Sequence, residues 1–297
     1  MSLPETGEVE VTTPADAAEV VEEVVEEIAE EGGDRLLIVL DIDGTVLLED
    51  ETLSPGVVEA VQDAGDAGHE VMIATGRSWA GTEKTLQALD IRPEYVVCSN
   101  GAVVMKREGD AYVRAHTETF DATQVLNLLR EHLPNAKYMV EREDGERLYT
   151  DFIDDWNLSA AHRVPFEDLI GLPVSRVVVV SPGHDEEDFS RLVEDIGLNH
   201  VSYAIGWTAW LDIAPQGVDK GTALELVREW LDMPPADVLV IGDGRNDLGM
   251  FAWARRNGGR AIAMAQGPQE VLDAASETTA SVQEGGVAAA LRALSQR

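Results

Sequence analysis

The 297-residue chain holds a single cysteine, Cys98, and only four lysines, Lys84, Lys106, Lys137 and Lys220. One cysteine excludes an internal disulfide framework and agrees with a reducing compartment. It lies in the apolar run YVVCSN and reads as a small buried side chain rather than a reactive thiol. No stretch approaches the ~20 apolar residues of a membrane span, and the first residues show neither a basic start nor a hydrophobic core for export. A cytoplasmic protein with no membrane partner is expected. The six histidines are scattered and form no zinc-like spacing. Positive charge is scarce, 22 basic residues against 56 acidic ones, for a formal charge of −34. Such a surface repels nucleic-acid phosphates. No nucleic-acid partner is expected, and a small anion would bind only where cations locally reverse the field.

What is present is enough apolar residue, 44%, to build one large core or two modest ones. Residues 1–34 are strongly acidic, with Ala, Val and Ile at helical spacing from Ala17 to Ala29. They read as an acidic N-terminal extension carrying a solvated helix and no catalytic signal. From Leu36 strands and helices alternate: LLIVLDI, SPGVVEAVQDAGDAG, HEVMIAT, SWAGTEKTLQALD, YVVCSNGAVV. Strands separated by helices of this length imply right-handed crossovers and an α/β fold with a doubly wound, Rossmann-like parallel sheet.

Between 119 and 206 the rhythm changes. A helix from Ala122 to His132 precedes strand-like AKYMVERE and ERLYTDFI, which meet at Asp144-Gly145, a pair suited to the positive φ of a tight turn. SRVVVVSP, a helix from Glu186 to Ile196 and HVSYAI follow. This predicts an inserted α+β cap built on an antiparallel sheet. LDIAP, the helix from Lys220, VLVIGDG, a helix after Asn246 and AIAMA then resume the first rhythm. The core is therefore expected over 35–118 and 207–297 and the cap over 119–206, with hinges near His116 to Thr119 and Gly206 to Ala209. Trp207 and Trp210, beside the second hinge, are expected to pack in a core.

Leu36 to Leu47 read LLIVLDIDGTVL. On a strand of period two, Asp41 and Asp43 point the same way, and at the carboxyl end of a parallel sheet that direction is toward the ligand crevice. Gly44 lets the chain turn without a side chain in that crevice. Two carboxylates there make a place for a divalent cation and a phosphate, although DxDGT alone also fits an ordinary turn or other metal enzymes. Three further segments put polar groups at comparable edges: Thr75-Gly76-Arg77 after VMIA, Lys220 at the head of KGTALELVREWL, and Asp243 after DVLVIG, with Asn246 and Asp247 following. Ser99-Asn100 ends a further strand. A lysine is a compact point charge that reaches among carboxylates where a forked guanidinium fits poorly. In a chain this poor in lysine, Lys220 is not incidental.

The ordered set DIDGT, TGR, the lysine and GDGRND resembles the four motifs of the haloacid dehalogenase (HAD) superfamily of phosphotransferases, over residues 35–297. SNGA, LDIAPQGVDKGTAL and the tail AMAQGPQEVLDAASETTASVQEGGVAAAL are similar to its Cof-type subfamily of phosphatases with a type IIB cap. One departure is visible: Gln266-Gly267-Pro268 stands where that subfamily usually has Asn-Ala or similar, which touches local ligand contacts and not the chemistry.

The resemblance implies a Mg²⁺-dependent phosphatase of small phosphorylated metabolites, sugar phosphates first, working through an aspartyl phosphate. Asp41 would be the nucleophile and, with the backbone carbonyl of Asp43 and with Asp243, a Mg²⁺ ligand. The Asp43 side chain would serve as general acid and then base, off the metal. The Thr75 hydroxyl and the Gly76 amide would hold the phosphoryl group, with Gly44 in the same phosphate-facing turn. Lys220 would offset the repulsion among carboxylates and phosphate, with Asp247 and Asn246 behind it. Arg77 and Asn100 are candidates for the substrate end. The implied partner is a small phosphorylated metabolite bound by a monomer or homodimer. A phosphomutase on the same scaffold is the alternative. Of another class are a phosphoaspartate signalling module, which needs neither Asp43 nor an insertion of about 85 residues where connections usually run 2 to 6, and an inactive metabolite-binding relative, against which Asp41, Asp43, Lys220 and Asp243 all stand intact.

Overall fold

Leu37–Leu40 (β1) offers water nothing polar, and all four side chains are buried. In the computed structural model, which describes residues 35–152, 161–181, 191, 201–206 and 210–294, this strand is followed by Val57–Asp66 (α1), Glu70–Ile73 (β2), Trp79–Leu89 (α2), Tyr95–Cys98 (β3), Val103–Glu108 (β4) and Ala111–Thr117 (β5). Next come Phe120–Asp121 (β6), Thr123–His132 (α3), Lys137–Arg142 (β7), Arg147–Tyr149 (β8), Ala161–Arg163 (β9), Pro173–Val180 (β10), Val201–Gly206 (β11) and Trp210–Pro215 (β12). The last segment contains Lys220–Trp230 (α4), Val238–Gly242 (β13), Leu248–Arg256 (α5), Arg260–Ala263 (β14), Gln269–Ala274 (α6), Glu277–Thr278 (β15) and Gly286–Leu294 (α7). The expected helix at 17–29, most of the helix expected from Glu186 to Ile196, most of the second hinge and Trp207 lie outside the described residues.

The first sheet is parallel throughout, in the order β15-β14-β13-β1-β2. Alternation along β1 sends Ile38 and Leu40 into one apolar layer with Val57 and Val61 of α1 and Val287 and Leu291 of α7. Leu37 and Val39 go into the other, with Leu224 and Val227 of α4 and Met250 and Phe251 of α5. Burial on both faces is what reads as a continuous hydrophobic run. The helices show the matching stripe: in α1, Val57, Ala60, Val61 and Ala64 are the buried residues, spaced three and four apart.

The segment YVVCSNGAVV departs from the simple rhythm. β3 meets the end of β2 through a parallel bridge, Ala74 to Val97, but then pairs antiparallel with β4, and β4 with β5. Gly109, at φ +61°, supplies the turn of this second hairpin.

The second sheet has seven strands in the order β11-β12-β10-β7-β8-β9, with β6 beside β10. The Asp144-Gly145 turn is present, with Gly145 at φ +88° between antiparallel β7 and β8. Helix α3 covers one face through Val125, Leu126 and Leu129. One expectation is corrected here. LDIAP does not resume the parallel core: Trp210–Pro215 pairs antiparallel with both β10 and β11, and Leu211 and Ile213 enter the cap's own apolar cluster. A short apolar run before a helix has the same pattern in either sheet, so its partner strand decides. The chain returns to the parallel sheet after Pro215, not at residue 207.

Candidate active site

β1 and β13 run in register, Leu40 beside Ile241, and the Asp41 amide donates to the Ile241 carbonyl at 3.0 Å. Asp41 and Asp243 therefore leave the sheet side by side. β2 flanks β1 on its other side, Leu40 beside Ile73, and brings Thr75 to the same edge. Since the chain leaves β1 toward β2 on one flank and toward β13 on the other, strand order reverses here, which is where open α/β sheets hold ligands.

Lys220 opens α4, whose start is fixed by Asp219: its side chain accepts from the Thr222 amide and its own amide donates to the Thr222 hydroxyl, a reciprocal cap. The lysine is fully buried. Its Nζ donates to Oδ1 of Asp41 at 2.5 Å and to Oδ1 of Asp247 at 2.6 Å. Burial alone would lower the ammonium pKa, but Asp247 and Asp41 outweigh it and raise it. Asp247 is held in turn by the amides of Asp243 and Gly244, both 2.9 Å from its Oδ2.

Asp41, Asp243 and Asp247 are all buried, and one oxygen of each lies within 4.8 Å of the others. Burial pushes the Asp41 carboxyl well above the usual carboxylate range, with Lys220 opposing and Asp247, Asp243 and Asp43 adding to the rise. Burial, then Asp247, push Asp243 up to about 7, against the Gln266 hydrogen bond and Lys220. Three carboxylates share one ammonium, and the donors are hard oxygens, so the set fits a divalent cation such as Mg²⁺ and does not resemble a zinc site of nitrogen and sulfur. Both oxygens of Asp247 are occupied by the bonds just described. Oδ2 of Asp41 and Oδ1 of Asp243 accept no hydrogen bond from a described residue, so these two aspartates are the ones with an oxygen to offer.

Asp43 points elsewhere. Arg77 Nε lies 3.1 and 3.0 Å from its two oxygens and Nη2 lies 2.5 Å from Oδ1, while the same Nη2 reaches Glu51 at 3.1 Å. The sequence placed Arg77 at the substrate end; in the structure its guanidinium grips Asp43 and Glu51. Thr75 is buried, and its hydroxyl oxygen accepts from the Arg77 amide at 3.1 Å. At Gly76, a β-carbon would meet Asn100 Oδ1 at 3.0 Å. At Gly44, φ +73°, a β-carbon would collide with the Asp243 carboxylate, so only glycine admits the close approach of those two loops.

Ser99, Asn100 and Gly101 all have positive φ, 51°, 52° and 101°, an uncommon run for which two non-glycine residues carry a cost of order 1 kcal/mol each. The result is that Asn100 reaches both layers. Its Nδ2 donates to Asp212 Oδ2 at 2.8 Å, and its Oδ1 accepts from Asn246 Nδ2 at 3.2 Å. Asp212 is clasped from behind by Arg176, Nε to Oδ1 at 2.7 Å and Nη2 to Oδ2 at 2.9 Å. Beside it Glu141 accepts from Ser99 Oγ at 3.3 Å and from Arg114 Nη2 at 2.6 Å. A cleft of about 340 Å³ lies here, lined by Asn100 and Asn246 on the core side and by Ser202 and Asp212 on the cap side, among others.

The motifs thus come together: Asp41, Asp243, Lys220 and Asp247 form the buried cluster, and Thr75, Gly44 and Asn246 border it. Sequence reasoning did not single out Asp212, Arg176, Glu141 or the role of Gln266. The first three had a signal, a charged residue inside an apolar strand, since a buried charge is informative where an exposed apolar side chain is not.

Fold and site together define a Rossmann-like α/β protein with an inserted α+β cap and an acidic centre at the switch point. Its family follows from sequence comparison: the chain belongs to the haloacid dehalogenase-like hydrolases, whose family profile matches residues 38–291. Among curated relatives it is 28% identical over 273 residues, 86% of this chain and 96% of the relative, to the 5-amino-6-(5-phospho-D-ribitylamino)uracil phosphatase of Bacillus subtilis. It is 26% identical over 226 residues, 73% of this chain and 80% of the relative, to an HMP-PP phosphatase of Yersinia enterocolitica. Among solved structures, a HAD subclass IIB sugar phosphatase superposes with a TM-score of 0.73 at 19% identity, covering 88% of this chain and 99% of that one. That likeness shows the shared fold, and the Cof-type resemblance read from the motifs stands.

Proposed function

We propose that this protein is a Mg²⁺-dependent phosphatase of small phosphorylated metabolites, sugar phosphates first, working through an aspartyl phosphate on Asp41. The observation that carries this reading is the grouping of Asp41 with Lys220 and Asp243 at the switch point, with a cleft bordered by amide and carboxylate groups whose lining includes their sequence neighbours Asp219 and Asn246. Curated relatives named as phosphatases of a phosphoribityl compound and of HMP-PP support it.

Asp41 and Asp243, with the backbone carbonyl of Asp43, would hold the cation. When bound, it neutralises charge on the transferring phosphoryl group. Lys220 anchors the Asp41 carboxylate, which attacks phosphorus. As the P–O bond to the leaving group breaks, Asp43 delivers a proton to the departing alkoxide, then removes one from the water that attacks the phosphoaspartate. Water's oxygen leaves in inorganic phosphate, and Asp41 is restored as carboxylate. Proton delivery requires Asp43 to release part of its hold on Arg77, and Glu51 stands ready as the other partner of the same Nη2. Thr75 and the Gly76 amide border the phosphoryl position. Asn100 and Asn246 face the leaving group from the core and Asp212 from the cap, acceptors and amides suited to hydroxyl groups.

We assign the cap to residues 119–215 and the core to 35–118 with 216–294. Burial pushes the Cys98 thiol up to about 12, which fits a structural cysteine in a cytoplasmic enzyme. Among the described residues no helix is long and apolar enough to cross a membrane.

The test is phosphate release from p-nitrophenyl phosphate and a panel of sugar phosphates, with Mg²⁺ or with excess chelator, and Asp41→Asn as control. Metal-dependent release lost in the variant supports the reading. No release from any substrate points to the mutase alternative, tested next with a bisphosphate activator.

A further inference from the structure

Asp243 has a second partner that the four motifs do not account for. Gln266 follows β14, in a turn closed by the Gly267 amide on the Met264 carbonyl at 2.9 Å. Its Nε2 donates to the Gly44 carbonyl at 2.5 Å and to Oδ2 of Asp243 at 3.2 Å, and its Oε1 accepts from the Val282 amide at 3.0 Å. The orientation of this amide is dictated by its neighbours. Gly44 O and Asp243 Oδ2 are both acceptors and Val282 N is a donor, so a flipped amide would lose all three bonds. Gly44 completes the arrangement, because its missing β-carbon leaves the space that the Asp243 carboxylate fills. Oδ2 of Asp243 therefore sits in a slot between Gly44 and Gln266, and Oδ1 is the oxygen that no described residue engages.

We propose that Gln266 is a positioning residue of the cation site: by holding Oδ2 it presents Asp243 through one oxygen only, and so favours a small octahedral cation over a larger one. The inference rests on the reading of this cluster as a divalent-cation site. Mg²⁺ takes six ligands at 2.0–2.1 Å, whereas Ca²⁺ takes six to eight at 2.3–2.6 Å and readily accepts both oxygens of one carboxylate. To bind through both oxygens, Asp243 would have to give up the Gln266 bond. The chain has glutamine at the position where the Cof-type pattern usually has the shorter asparagine. One amide here spans Gly44, Asp243 and Val282, which come from three separate loops.

The experiment is calorimetric titration of Mg²⁺ and of Ca²⁺ into the metal-stripped full chain, wild type, Q266L and Q266N, with melting temperatures in chelator as the folding control. Q266L is expected to weaken Mg²⁺ binding by about 10–100-fold, the usual effect of losing a group that orients a ligand. Ca²⁺ binding should weaken clearly less, so that preference for Mg²⁺ falls by about tenfold or more. Q266N, too short to make all three bonds, should move the ratio in the same direction, and it carries the test if Q266L does not melt cooperatively. Equal losses for both cations, or an unchanged ratio, overturn the role of Gln266 and leave the cation site standing. A wild type that binds neither cation overturns the site itself, and this inference with it.

Discussion

Asn100 donates its side-chain amide to Asp212 at 2.8 Å, joining the turn after β3 to a strand of the cap sheet. Its other side-chain atom accepts from Asn246, the residue before Asp247 of the buried acidic cluster, so one small side chain ties the cap sheet to the loop that carries that cluster. Removing it should matter most for substrates that fill the cleft. Asn100→Ala is expected to raise KM for sugar phosphates by about tenfold, a loss of order 1 kcal/mol, with little change for p-nitrophenyl phosphate. A double-mutant cycle with Asp212→Asn measures the link. Coupling below ~0.5 kcal/mol would count against it.

Arg77 separates two accounts of the acid step. If its role is to hold Asp43, Arg77→Gln should behave like a milder Asp43→Asn, slowing turnover of sugar phosphates far more than of p-nitrophenyl phosphate, whose leaving group needs no proton. An equal rise in KM for both substrates would place Arg77 on the phosphate instead.

Lys220 lies between two buried carboxylates. Lys220→Met should destabilise the metal-free protein by about 3 kcal/mol, the scale for stranding a buried charge, and Mg²⁺ should restore part of it. Turnover should fall roughly a thousandfold. Urea titration with and without Mg²⁺ gives the first quantity, and steady-state kinetics the second.

The Asp243 carboxyl is raised from 3.8 to about 7 in the folded protein. Its contribution to stability is therefore complete below pH 3.8 and declines as pH rises through about 7, because the folded state keeps a proton that the unfolded chain has lost, at most about 1.4 kcal/mol per pH unit. In chelator, the melting temperature of the wild type is expected to fall relative to Asp243→Asn between pH 4 and pH 7. Mg²⁺ must displace that proton, so its binding should tighten with pH and release protons below pH 7. Parallel melting curves for the two proteins would rule this out.

The parallel core and the grouping of Asp41, Lys220, Asp243 and Asp247 were legible because each rests on a strong local pattern. β1 and β13 are unbroken apolar runs that end in aspartate, and Lys220 stands out in a chain that otherwise uses arginine. What could not be read depends on pairing partners far away in sequence. LDIAP has the same pattern whether it joins the core or the cap, and only its register against β10 decides. Arg77 follows a strand end like the other site residues, yet its direction is set by Asp43 and Glu51, which no spacing reveals. Gln266 marked a departure from a family pattern, but its partners lie on loops brought together only by the sheet.

Asp41 and Lys220 are 179 positions apart in the chain, and the β1–β13 pairing that sets Asp41 beside Asp243 spans the whole cap between its two strands. As the chain emerges from the ribosome, Asp41 must wait until the cap, α4 and β13 have all been made. Contacts this distant in sequence form slowly, so the buried cluster is completed late, and a truncated or stalled chain carries the acidic turn without the ammonium that offsets its charge.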